Sequence, residues 1–202
     1  MDSFLLCLLL VTAIALGGRD QITIARLSDA LAERGRAGET DDARDAKRPA
    51  PLLAVGLLSA AITAGVMAYG GAIIADLLPT RAARMLVALA CAMAAFELAW
   101  PVRVKPVREP TQSGAAIALV LVWRQLGDAA RFVIFAFAAW AVYPLTAWMG
   151  GALGGGAAVA LGWLLGFEQL SRWPLCWIRF GLAACLIVAA LFIGLNARYG
   201  VG

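Results

Sequence analysis

The chain contains no histidine among its 202 residues, and that one absence removes the usual proton shuttle and the usual transition-metal ligand. An ion site here must be built from oxygen. Four cysteines are present, Cys7, Cys91, Cys176 and Cys185, each inside an apolar run and none in a CxxC pair. They read as small buried hydrophobes, not as a zinc site. Charge is scarce as well: Asp, Glu, Lys and Arg make up 15% of the chain, against roughly 25% in soluble domains. With no histidine and no nucleophile beside a base, the sequence offers no catalytic constellation, so neither an enzyme nor a cofactor is expected.

What is abundant is apolar surface. Hydrophobic residues account for 62% of the chain and the mean hydropathy is +0.83, the composition of an integral membrane protein whose first partner is the lipid bilayer. The net charge of +4 comes mostly from basic residues in short segments between apolar runs. That distribution is a topology signal, so nucleic acid is not expected as a partner. Residues 4–16 have the length of a secretory core, but Met1, Asp2 and Ser3 before them carry no positive charge, which argues against a cleaved signal.

Six spanning units can be drawn, each near the roughly 20 residues that a hydrocarbon core requires. They cover residues 4–33, 52–78, 82–100, 113–142, 145–167 and 173–195. The first is too long for one straight span, and Gly17-Gly18 is its expected break. Its second half carries Ile22, Ile24, Ala25, Leu27, Ala30 and Leu31 on one side and Arg26, Asp29 and Glu33 on another, the pattern of an amphipathic helix. A polar, proline-closed loop at 34–51 follows. A basic connector at 101–112 separates a first part, 1–100, from a second, 113–202. The glycine-rich run 150–156 has no Walker lysine after it, so it reads as close helix packing and not as a phosphate loop.

The two parts repeat. Leu16-Gly17 recurs at an offset of 110 as Leu126-Gly127. At an offset of 95, Gly56 pairs with Gly151, Gly71 with Gly166, Pro79 with Pro174 and Arg84 with Arg179. An odd number of spans per repeat inverts the second copy. The expected fold is therefore an all-α membrane protein: six transmembrane helices as two inverted three-helix repeats, the first helix of each broken. The basic residues of loops 34–51 and 101–112, together with Arg172, place those loops in the cytoplasm and both termini outside it, in a bacterial inner membrane.

Charges inside apolar spans cost about 2.5–3.5 kcal/mol each on insertion scales, so the two breaks are functional candidates. Asp20, Gln21, Gln125 and Asp128 are the candidate ion or substrate ligands. Gly17, Gly18 and Gly127 mark the interruptions, and Arg19, Arg124 and Arg131 are the charge-pairing residues. Asp128 is spaced to meet Arg124 at i, i+4 or Arg131 at i, i+3 if helix continues. Glu97, one turn before Trp100, reads as an interfacial residue. The tryptophans read as a membrane-interface belt, with Trp123 a candidate shield for the charged centre.

The Leu-Gly-Asp frame of residues 126–128, set after an apolar half-helix and doubled in a 3+3 chain, resembles the transmembrane protein 165 family of the lysine-exporter-like superfamily. The resemblance spans the whole chain and implies a manganese or calcium exchanger working against protons. The family motif runs Glu-x-Gly-Asp, then a basic and a hydroxyl residue, with the acidic residues forming the cation site. In the first copy Ala15 stands for the glutamate, Gly17 for the glycine, Gly18 for the aspartate, Arg19 for the basic residue and Asp20 for the hydroxyl. In the second, Gln125 replaces the glutamate, Gly127 and Asp128 are intact, and Ala129 and Ala130 replace the last two. Only one of four motif carboxylates is in place, and the charge of the broken helices moves from minus two in the family pattern to plus one. The expectation is a divergent secondary transporter coupled to a divalent cation or a proton. The alternatives are a carrier of an anionic or zwitterionic substrate, and a non-transporting scaffold that joins a second copy or an intact paralogous subunit.

Overall fold

The computed structural model describes residues 2–37, 50–101, 114–140 and 143–200. Most of the polar loop, nearly all of the basic connector and the ends of the unit drawn over 113–142 lie outside the described residues. Eight helices are described: α1 (Asp2–Ala15), α2 (Arg19–Ala37), α3 (Ala50–Leu77), α4 (Thr80–Ala99), α5 (Gly114–Leu126), α6 (Ala129–Trp140), α7 (Pro144–Ser171) and α8 (Leu175–Tyr199). Prolines set the boundaries as their fixed φ dictates, with Pro79 before α4, Pro144 at the start of α7 and Pro174 before α8.

Helices α3, α4, α7 and α8 are long and apolar enough to cross a membrane. The α1–α2 pair, bent by 60° at its break, makes a fifth when counted as one span. Six were drawn from the sequence. The difference falls on residues 114–140, where the apolar stretch is divided into two short helices with Arg124, Asp128 and Arg131 around the division.

Helix α3 packs against α7 and α4 against α8. The broken pairs lie against the small-residue helices, α1 and α2 along α7, α5 and α6 along α3, and α6 also lies against α4. Glycine decides how close these approaches are. A Cβ on Gly150 would meet the Phe4 carbonyl oxygen at 2.8 Å, one on Gly154 the Leu8 carbonyl oxygen at 2.8 Å, and one on Gly71 the Phe135 carbonyl oxygen at 2.5 Å. Backbones thus touch where larger side chains would separate the helices. The core between them is alanine-rich, with Ala64, Ala68, Ala94, Ala95, Ala130 and Ala158 all buried. Large apolar side chains, among them Leu9, Leu58, Ile73, Leu89 and Phe192, point outward instead, as they do where the surrounding medium is lipid.

A third interruption escaped the sequence reading. Gly166 adopts φ 72° and ψ 175° inside α7, and the following amide, Phe167 N–H, donates to Asp29 Oδ2 at 2.7 Å. Arg26 stacks over the Phe167 ring with its Cζ 4.2 Å from the centroid. The polar side of α2 therefore docks on the last turn of α7.

Candidate functional site

The two main breaks are made differently. After Ala15 the chain turns through Gly17 at φ +71°, a left-handed conformation costing an L-residue about 1–2 kcal/mol. The freed Gly17 N–H donates to Gln21 Oε1 at 2.7 Å, so the first turn of α2 folds back to cap the interruption. At the second break the turn closes with Asp128 N–H donating to the Gln125 carbonyl at 3.0 Å, and Arg131 N–H donates to the Asp128 carbonyl at 3.0 Å. Asp128 is the residue before α6, and its carboxylate faces the N–H groups of Ala129 and Ala130, a favourable place for an anion.

The polar residues of the breaks are buried. Gln21 is 1% exposed, Gln125 0%, Asp128 5%, Asp20 9% and Arg131 2%. Asp20 is within electrostatic reach of Asp128, Arg131, Arg124 and Glu97, so the structure brings the carboxylates of the two breaks into one cluster. Gln125 is held by α3: Thr63 Oγ1 donates to its Oε1 at 2.9 Å and its Nε2 donates to Ser59 Oγ at 3.2 Å. Arg131 Nε donates to the same Thr63 hydroxyl at 2.9 Å. Its guanidinium lies where a Cβ on Gly155 would meet Nη1 at 3.0 Å. Gly162 makes room in the same way for the backbone of Gln21, whose carbonyl oxygen would stand 2.7 Å from a Cβ there. The glycines of α7 thus admit charged and polar groups as well as helices.

One of the charge-pairing expectations needs correction. The Arg124–Asp128 spacing is cut by the break, because α5 ends at Leu126 and helix resumes at Ala129. Arg124 is an exposed residue whose field reaches Asp20, whereas Asp128 faces Arg131 and Arg179. Arg19 pairs with Glu97, its Nε 3.2 Å from Glu97 Oε1. The N–H is not aimed at that oxygen, which has no hydrogen bond among the described residues, so the contact is an ion pair only. Trp123 is 79% exposed and shields nothing.

Sequence reasoning missed the other half of the cluster. Glu97 is 7% exposed, so its carboxyl is buried within the protein. It accepts from the Ala129 N–H at 3.4 Å through Oε2 and lies 3.5 Å from Arg179 Nη2 through the same oxygen. Arg179, from the first turns of α8, also donates to the Gly17 carbonyl at 3.1 Å and to the Glu97 carbonyl at 3.1 Å. One signal was available: Arg179 is the repeat partner of Arg84, and an arginine inside an apolar helix calls for an acceptor. With these two included, the buried cluster holds the carboxyl groups of Asp20, Glu97 and Asp128 and the guanidinium groups of Arg131 and Arg179, with half-exposed Arg19 at its edge.

These features define a polytopic α-helical membrane protein with a buried charged centre at two helix interruptions. No protein-family model matches the chain, and neither a curated protein nor a solved structure matches it.

Proposed function

We propose that the chain is a secondary transporter that works by alternating access, with Asp20 and Asp128 as the pair that binds and releases the coupling ion. The observation that carries this reading is the meeting of two interrupted helices from opposite halves at one buried cluster, since breaks of this kind supply ion sites in inverted-repeat carriers. The pattern of neighbours supports the inverted repeat. Helix α1 lies on α7 as α5 lies on α3, α2 lies on α7 as α6 lies on α3, and α3 with α7 and α4 with α8 form the central pairs. The departure from symmetry supports alternating access. Helix α6 packs against α4, but between the counterpart pair, α2 and α8, lies a cleft of about 410 Å³ lined by Gly17, Ile22, Leu98, Trp100, Leu175 and Arg179. The cleft sits at the end of the bundle where the basic connector begins, and the positive-inside rule makes that the cytoplasmic end.

The donor set favours a proton or a single small cation over manganese or calcium. A divalent ion wants six or more oxygens. Here the side-chain oxygens of Gln21 and Gln125 already accept from Gly17 N–H and Thr63, and Glu97 faces two arginines. Asp20 and Asp128 take no part in those ion pairs. Gln21 Nε2 is buried without a hydrogen-bond partner among the described residues. An unmet donor of this kind costs about 1–3 kcal/mol, which a bound substrate oxygen or water would recover.

The test is flux into liposomes holding the purified full chain, with a pH-sensitive dye inside and manganese, calcium or sodium outside. Ion-driven proton movement in wild type, lost in Asp128→Asn and Asp20→Asn, is the expected result. Failure of all three cations to move protons, with folded protein in the membrane, would sink the cation reading. The arginine–glutamate network would then favour the scaffold, in which buried ion pairs fix geometry alone.

A further inference from the structure

Glu97 touches both interruptions. Through Oε1 it pairs with Arg19, the first residue of α2. Through Oε2 it accepts from the N–H of Ala129, the first residue of α6. The helix restarting after the first break and the helix restarting after the second are thus joined to one carboxylate on α4. Arg179 closes the ring from α8, bonding Glu97 and the Gly17 carbonyl together. Orphan N–H groups at the start of a helix and a carbonyl freed at a break need partners, and a buried carboxylate needs cations or donors. Each demand is met here by another member of the same ring. Asp128 is the competing acceptor for the Ala129 N–H, and Asp20 and Asp128 are the other anions within reach of Glu97.

We propose that Glu97 is the positioning residue that couples the two helix breaks, so that neither can rearrange without the other. Its meaning for a transport cycle rests on the reading above, but the coupling itself does not. In a carrier, such a tie prevents one half-site from opening while the other stays shut.

The test perturbs one break and reads the other. Amide hydrogen exchange is followed by mass spectrometry in the purified full chain, in residues 16–22 and 127–133, for wild type, Arg19→Gln, Glu97→Gln and Glu97→Ala. Arg19 belongs to the first break and reaches the second only through Glu97, so a local role would speed exchange in residues 16–22 alone. Coupling speeds exchange in 127–133 as well, by roughly five- to thirtyfold, the population change that losing one or two kcal/mol of hold produces. Glu97→Ala should loosen both segments together. Glu97→Gln, which keeps an oxygen for Ala129 N–H, should do so less. A response confined to 16–22 in Arg19→Gln, or to one segment in Glu97→Ala, would overturn the proposal. Where Glu97→Ala does not fold, Arg19→Gln, at a half-exposed residue, decides it alone. The flux assay on the same proteins separates the two claims: coupled exchange without wild-type flux leaves the tie standing and removes the carrier, while flux with uncoupled exchange does the reverse.

Discussion

The two breaks, alike in sequence, are held in opposite ways. The first is a clamped joint: Gly17 has a left-handed φ of +71°, its amide is capped by Gln21, its carbonyl is taken by Arg179, and Leu175 of α8 packs on its Cα, 3.0 Å from where a Cβ would sit. The second is open at its glycine. Gly127 is exposed, and a Cβ there would meet nothing within 4 Å. Its hold comes instead from the flanking side chains, Gln125 and Arg131, which both reach Thr63 of α3. The comparison teaches that the Leu-Gly pair marks where a helix stops, while the contacts around it decide how firmly the stop is held. A joint pinned through its backbone differs mechanically from one pinned through side chains.

Removing Arg179 should produce the largest effect. Arg179→Ala leaves buried Glu97 with less compensation and removes the partner of the Gly17 carbonyl. A loss of about 3–5 kcal/mol is expected from breaking a buried pair, read as a lowered unfolding midpoint in detergent. A melt unchanged from wild type would show that the first break is not clamped from α8.

Thr63→Val tests the second break. It deletes the hydroxyl shared by Gln125 and Arg131 while keeping the shape, and unmet buried partners cost about 1–3 kcal/mol. Thermal melts should show the loss, and hydrogen exchange should place it in residues 120–133. Loosening centred on residues 16–22 instead would reverse the assignment of Thr63 to the second joint.

The smallest effects come from a matched pair. Gly17→Ala should cost about 1–2 kcal/mol from the left-handed backbone alone, with crowding against Leu175 added to it. Gly127→Ala, in open space and without a positive φ, should fall within about 0.5 kcal/mol of wild type. Equal melting shifts for the two substitutions would erase the difference between the joints.

Much of this was legible along the chain. Apolar length, prolines at helix boundaries and the repeated Leu-Gly interruption are local features, and they located the elements because lipid demands helices and glycine ends them. The burial of Asp20, Gln21, Gln125 and Asp128 agrees with the rule that charge inside an apolar segment turns toward the protein interior. That rule also misled at Arg124, which lies near a helix end where a long side chain can leave the apolar region. Gly166 entered the sequence reading only as the repeat partner of Gly71; the docking of α2 through Asp29 and Phe167 accounts for the break in α7 there.

By itself the sequence determined that this is an α-helical membrane protein, without histidine and with two interruptions carrying polar residues. Only the tertiary structure decided which charges face one another. Glu97 and Arg179 lie 82 residues apart on different helices, and their meeting depends on α4 and α8 being neighbours, which glycine and alanine packing settles. Ion pairing is a property of distance in space, and local sequence pattern carries no record of it until the helices are placed.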